Sequence, residues 1–190
     1  MAAPSEQRTG YQAYLALQEG SEHKLELVDG VVLAMTGGSL AHAMLSTSLV
    51  IVLHDALRGR SCRVFGSEAR LRVPLFGNAR YPDGSVVCGP VQTDEADPDA
   101  ITNPSLLVEV LSPATEASDR GQKFAEYRSL ESLRHYLLLS QDQVRAELYT
   151  RADRGRWILS VHGPGERLPL SAFEVEVEVD ALYDGVLSPG

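Results

Sequence analysis

The stretch Leu106-Leu107-Val108-Glu109-Val110-Leu111, closed by Ser112-Pro113, decides the fold. Five of these six residues are apolar, so the stretch reads as a central strand covered on both faces. Glu109 stands in the middle of it, where a carboxylate is costly to bury without a partner. A second apolar run, Tyr81-Pro82-Asp83-Gly84-Ser85-Val86-Val87, carries Asp83 at its head. Lys123 follows Glu109 by 14 residues, on a helix expected from about Asp119 to Leu130. Two carboxylates on strands about 5 Å apart can reach one hard cation. With a lysine beside them they form a water-activating site of the kind that hydrolyses phosphodiesters.

Each residue also has a plainer explanation. Glu109 fits a buried ion pair with an arginine. Pro82-Asp83-Gly84 is turn chemistry. Asp119 and Lys123 have the spacing of an exposed i,i+4 pair. Asp119, Lys123 and Tyr127 nonetheless share one helix face, with Phe124, Ala125 and Leu130 supplying apolar contacts.

Working outward, Leu25-Glu26-Leu27-Val28, Asp29-Gly30 and Val31 to Met35 read as a hairpin with a primed two-residue turn. A short helix is expected over 11–19, and a longer one from a Ser39 cap to about Arg58, ended by Gly59. Strands follow near 62–66 and 68–73, then a turn at 74–78 and a strand over 81–88. Residues 89–103 look like an acidic loop. Further strands are expected at 134–139, 144–150 and 157–161. The tail alternates Phe173, Val175, Val177 and Val179 with Glu174, Glu176 and Glu178, the pattern of a half-buried strand. Leu182 and Tyr183 read as an appendage, and residues 1–10 as a frayed start. Helices and strands in this order predict an α/β domain with a mixed sheet.

The 190 residues suit one domain with a sizeable core. No apolar run of membrane length occurs and no signal-peptide pattern opens the chain, so the default expectation is a cytoplasmic protein without a membrane contact. Cys62 and Cys88, on different expected strands, read as buried small side chains rather than a disulfide framework or a zinc motif. The net charge of −9 argues against a protein that coats nucleic acid. Locally, however, Arg58, Arg60, Arg63, Arg70, Arg72 and Arg80 face one acid, Glu68. They suit either a DNA-backbone contact or a solvated face. The pattern argues against a Ser/His/Asp hydrolase: no Gly-x-Ser-x-Gly elbow occurs, and Ser112 precedes a proline.

Pro82-Asp83, Leu107 to Thr115, Asp119-Arg120-Gly121-Gln122-Lys123 and Tyr127 resemble the Uma-two family of restriction endonucleases, within the PD-(D/E)XK nuclease superfamily. Glu26 to Gly30, His42 and His135 to Leu139 are similar too. The resemblance implies a single nuclease-like domain over 1–190, with its core at about 11–180 and a restriction-endonuclease-like mixed sheet flanked by helices. It further implies a Mg²⁺-dependent endonuclease acting on DNA, with Mn²⁺ as a substitute metal. In this role Asp83, Glu109 and the Val110 carbonyl hold the metal, and Asp83, Glu109 and Lys123 are catalytic. Glu26, His42, Asp119 and Tyr127 support them. A homodimer is implied, because a duplex has two strands to cut. Two departures stand out. The superfamily's lysine position, two residues after the acid, is Leu111, so the role passes to Lys123; and Gly84 replaces an expected β-branched residue. The rival readings are a catalytically weak or inactive nuclease fold that binds nucleic acid or protein, and a hydrolase of smaller phosphodiesters.

Overall fold

Alternation and turn chemistry build the first elements. The computed structural model describes residues 8–187, so residues 1–7 of the expected frayed start lie outside the described residues. Helix α1 (Tyr11–Glu19) buries Tyr14, and strands β1 (Leu25–Val28) and β2 (Val31–Ala34) form the hairpin. Its turn residues Asp29 and Gly30 have φ of 51° and 82°, as a primed turn requires. Helix α2 (Leu40–Ala56) is capped by Ser39, whose side chain accepts the His42 N–H, and it buries Leu45, Leu49 and Leu53.

Strands β3 (Cys62–Gly66), β4 (Arg70–Val73), β5 (Asn78–Arg80), β6 (Gly84–Cys88), β7 (Thr93–Asp94), β8 (Asp97–Ile101) and β9 (Leu106–Leu111) follow. Then come α3 (Glu116–Ser118), a π-helical turn over Asp119–Lys123, and α4 (Phe124–Tyr127). The chain closes with β10 (His135–Ser140), β11 (Ala146–Arg151), β12 (Trp157–His162), β13 (Arg167–Leu170), β14 (Val175–Glu178) and α5 (Val179–Tyr183).

The strands form two six-stranded mixed sheets, in the orders β2-β1-β5-β4-β8-β7 and β12-β11-β10-β9-β6-β3, and the β13–β14 pair. In the second sheet β9 runs parallel to β10 and antiparallel to β6. All six residues of β9 are buried. Leu106, Val108 and Val110 pack with Leu45, Leu49 and Leu53 of α2. Leu107 and Leu111 pack on the opposite side with Tyr127, Leu130 and Tyr136. Strand parity therefore puts Glu109 on the Tyr127 side.

Several expectations change. Residues 89–103 are not a plain loop: β7 and β8 lie there, and the acids hid them. Asp97 is buried because Arg70 pairs with it. The turn at 74–78 runs into β5. The helix expected over 119–130 starts earlier, ends at Tyr127, and is wound as a π turn in its middle. Leu182 and Tyr183 are core, not an appendage. Cys62 and Cys88 are joined in a disulfide, because the antiparallel register sets them directly opposite with Cα atoms 4.0 Å apart. Gly84, unusual in the sequence, is explained by α2: an added Cβ would lie 2.9 Å from Leu49 Cδ2.

His135 is fully buried at the start of β10. Its Nε2 accepts the Ala172 N–H at 3.1 Å, and its Nδ1 lies 3.2 Å from Thr150 Oγ1. Burial pushes its pKa down to about 4. The unfolded chain therefore takes up the proton first. Stability from this group is complete above the ordinary value and is lost as pH falls from about 6.5 to about 4. The expected loss is about 3 kcal/mol. Urea unfolding of the protein and of His135→Gln across that range measures it; equal pH slopes for the two would refute the assignment.

Candidate active site

Asp83 and Glu109 come together through sheet register. β6 and β9 pair Ser85 with Leu107 and Gly84 with Val108; one step further along, Asp83 stands across from Glu109. Asp83 Oδ2 accepts the Val110 N–H at 2.7 Å, which ties the head of β6 to β9. Asp83, Glu109, Val110, His42, Lys123 and Ser112 all line one cavity of about 340 Å³.

The helical segment after β9 supplies the lysine. Its π turn directs both Asp119 and Lys123 inward, leaving them 1% and 9% exposed. Lys123 Nζ lies 3.0 Å from Glu109 Oε2 and 2.9 Å from Asp119 Oδ1. Both are ion-pair contacts, and Asp119 Oδ1 is buried without a hydrogen-bond partner. The Asp119–Lys123 pair is thus a buried ion pair, unlike the exposed pair its spacing also allowed. Tyr127 donates its hydroxyl proton to Glu109 Oε1 at 2.8 Å.

Charge is unbalanced here. Burial pushes Glu109 up to about 8; the neighbouring acids Asp119 and Asp83 add to this, and Lys123 only partly opposes it. The carboxylates around Lys123 keep its ammonium charged well above the ordinary range, despite burial. His42 Nε2 lies 3.3 Å from Asp83 Oδ2, and this hydrogen bond raises the imidazole pKa.

The His42 ring occupies space that only glycine leaves open. A Cβ on Gly38 would lie 2.9 Å from His42 Cγ. Gly38→Ala is expected to swing the ring off Asp83 and bring its pKa back toward 6.5. Imidazole NMR titration checks this; an unchanged titration would mean that the ring absorbs the methyl in place.

Glu26 does not reach into the cavity. Its Oε1 accepts the Tyr81 N–H at 3.0 Å, and its Oε2 takes Arg80 Nη1 at 3.1 Å. Its approach to a metal, weighed from the sequence, gives way to a role in holding the backbone just before Asp83. Arg80 also donates twice to Glu126, at 3.0 and 2.7 Å. The other arginines of this region are mostly committed too. Arg70 pairs with Asp97, Arg72 with Asp94, and Arg58 with Asp55, while Arg60 bonds the carbonyls of Phe173 and Glu174. The sequence reading singled out neither Glu126, which locks Arg80, nor Gln141, which accepts from Ser39 at 2.8 Å on the cavity wall. The surplus of arginines was the one available signal for Glu126; Gln141 had none.

The family model described as "Putative restriction endonuclease", Uma2, matches residues 11–182. The chain belongs to the Uma2 family. Among its relatives is an uncharacterized protein of Synechocystis, 37% identical over 175 residues, covering 92% of this chain and 91% of that one. A second uncharacterized Synechocystis protein is 32% identical over 147 residues, covering 77% and 83%. The fold is similar to that of a "putative nuclease" from Anabaena variabilis, with a TM-score of 0.74 at 18% identity, covering 93% of this chain and 98% of that one. At that identity the likeness speaks to the fold. Uma2 membership and this fold support a restriction-endonuclease-like nuclease with an α/β core of mixed sheets. Among the described residues no helix is long and apolar enough to cross a membrane.

Proposed function

We propose that this chain is a Mg²⁺-dependent nuclease that hydrolyses phosphodiester bonds of DNA. One observation carries the reading: Glu109 and Asp119 both contact the buried Lys123, and Asp83, near enough to Glu109 to raise its pKa, lines the same cavity. Burial favours a proton on Glu109, and a divalent cation held by Glu109 and Asp83 would take that proton's place.

The donor chemistry fits Mg²⁺. This ion accepts oxygen ligands, binds through one or two carboxylates and keeps several waters. Asp83, Glu109 and the Val110 carbonyl are the proposed holders. Among the described residues no group of three or more His, Cys, Asp or Glu side chains forms a ready ligand cage, so water is expected to complete the sphere. When bound, the ion polarises the phosphate and acidifies a water, and Mn²⁺ is expected to substitute for it.

The chain's own residues do the rest. Tyr127 orients Glu109, and the Val110 N–H orients Asp83. Lys123, held cationic by its acids, faces the negative charge that builds on the phosphoryl oxygens. A water oxygen joins phosphorus as the bond to the departing sugar oxygen breaks. The water's proton passes to solvent, and the departing oxygen takes one up.

Supercoiled plasmid and circular single-stranded DNA, incubated with Mg²⁺ or with EDTA, test this. Cleavage that needs the metal and is lost in Asp83→Asn is the expected result. Intact DNA together with no Mg²⁺ binding by calorimetry would favour a binding module on a nuclease fold instead.

A further inference from the structure

A second groove opens beside the candidate active site and runs into it. It encloses about 770 Å³, within the range of ligand sites. The two cavities share Met35, Thr36, Gly37, Gly38, His42 and Asp83, so a ligand leaving Asp83 past His42 enters the groove directly. One wall is the face of α2 with Ala43, Thr47, Val50 and Ile51; Thr47 is exposed, and Ile51 is 57% exposed.

Its chemistry does not suit a long polyanion. Glu22 and Glu68 stand on its rim, and its lysine, Lys24, is already paired with Glu68 and donates to the Ser67 carbonyl. The arginines that could have made a phosphate track are mostly committed elsewhere, as described above. What the groove offers is apolar wall with hydroxyls and free glycine backbone, a surface for a base and sugar. A base can lie there only if it is out of its stack.

We infer that this groove seats the nucleoside next to the scissile phosphate as an unpaired base, so that single-stranded or frayed DNA is the preferred substrate. The inference rests on the phosphodiesterase reading above and specifies its substrate.

Filling the groove tests it. Thr47→Glu and Ile51→Glu place bulk and a negative charge at exposed helix positions outside the carboxylate and lysine cluster, without adding an aromatic face on which a base could stack. Both are expected to weaken binding of a fluorescently labelled single-stranded oligonucleotide, measured by anisotropy in EDTA, by about tenfold or more. The unmodified protein is expected to bind that strand more tightly than its duplex. Hydrolysis of bis(p-nitrophenyl) phosphate, which carries no nucleoside, is expected to be unchanged in both variants. Equal binding of strand and duplex, or glutamate variants that bind the strand normally, would overturn the groove assignment. Failure of the protein to hydrolyse bis(p-nitrophenyl) phosphate with Mg²⁺ or Mn²⁺ would sink the phosphodiesterase reading instead, and the binding measurement would still decide the groove.

Discussion

Arg80→Met lowers the free energy of unfolding by about 3–5 kcal/mol. Arg80 is 3% exposed and makes three hydrogen bonds, one to Glu26 and two to Glu126. Its removal leaves two carboxylates buried without a counter-charge, a far larger cost than losing one exposed pair. Methionine keeps most of the volume, so packing contributes little to the loss. Guanidinium unfolding measures the effect. The triple variant Arg80→Met with Glu26→Gln and Glu126→Gln is expected to recover most of it, because the stranded charges are gone. A single-variant loss below about 1 kcal/mol would mean that water reaches these acids. The damage is also expected to extend to the site, since Glu26 holds the Tyr81 N–H two residues before Asp83.

Lys123→Met separates catalysis from metal binding. On the proposed reaction the ammonium faces charge that grows only as the phosphate reacts. Removing it is expected to slow metal-dependent cleavage by about 10²–10³-fold. Mg²⁺ affinity is expected to hold or rise, because Glu109 and Asp119 lose the cation that occupies them now. Calorimetry and single-turnover cleavage on the same preparation give the two readouts. If affinity collapses together with rate, Lys123 is a structural counter-ion, and the transition-state role fails.

The strands that matter most were legible because their patterns are local. β9 announced itself by an unbroken apolar run, and the β1–β2 hairpin by Asp29-Gly30. Ser39 announced the start of α2, and the tail declared its buried face by alternation. Other elements were not legible for equally local reasons. β5 has three residues and β7 two, too few for a period to show. β8 carries two aspartates, and Asp97 is buried there only because Arg70 arrives from a neighbouring strand. The π turn has no sequence signature here. It changes which residues face inward while the composition stays that of an ordinary helix.

For the candidate site, the odd polar residues in apolar runs were visible one by one. Their partners were not. The arginines of 58–80 looked like one basic stretch, yet three of them neutralise acids drawn from elsewhere: Asp94, Asp97, Glu26 and Glu126. Cys62 and Cys88 lie 26 residues apart and looked independent until strand register put them face to face.

By itself, then, the chain's order of residues determined the hairpin, the long helix, the central strand, which of their faces are apolar and which acids are out of place. These depend on neighbours within a few positions. Tertiary structure alone decided which charge answers which, that Glu26 serves Arg80 and the backbone before Asp83, and that a groove along α2 opens onto the acids. Ion pairs such as those of Arg80 with Glu26 and Glu126 join segments dozens of residues apart, and their energies depend on burial, which no single segment carries.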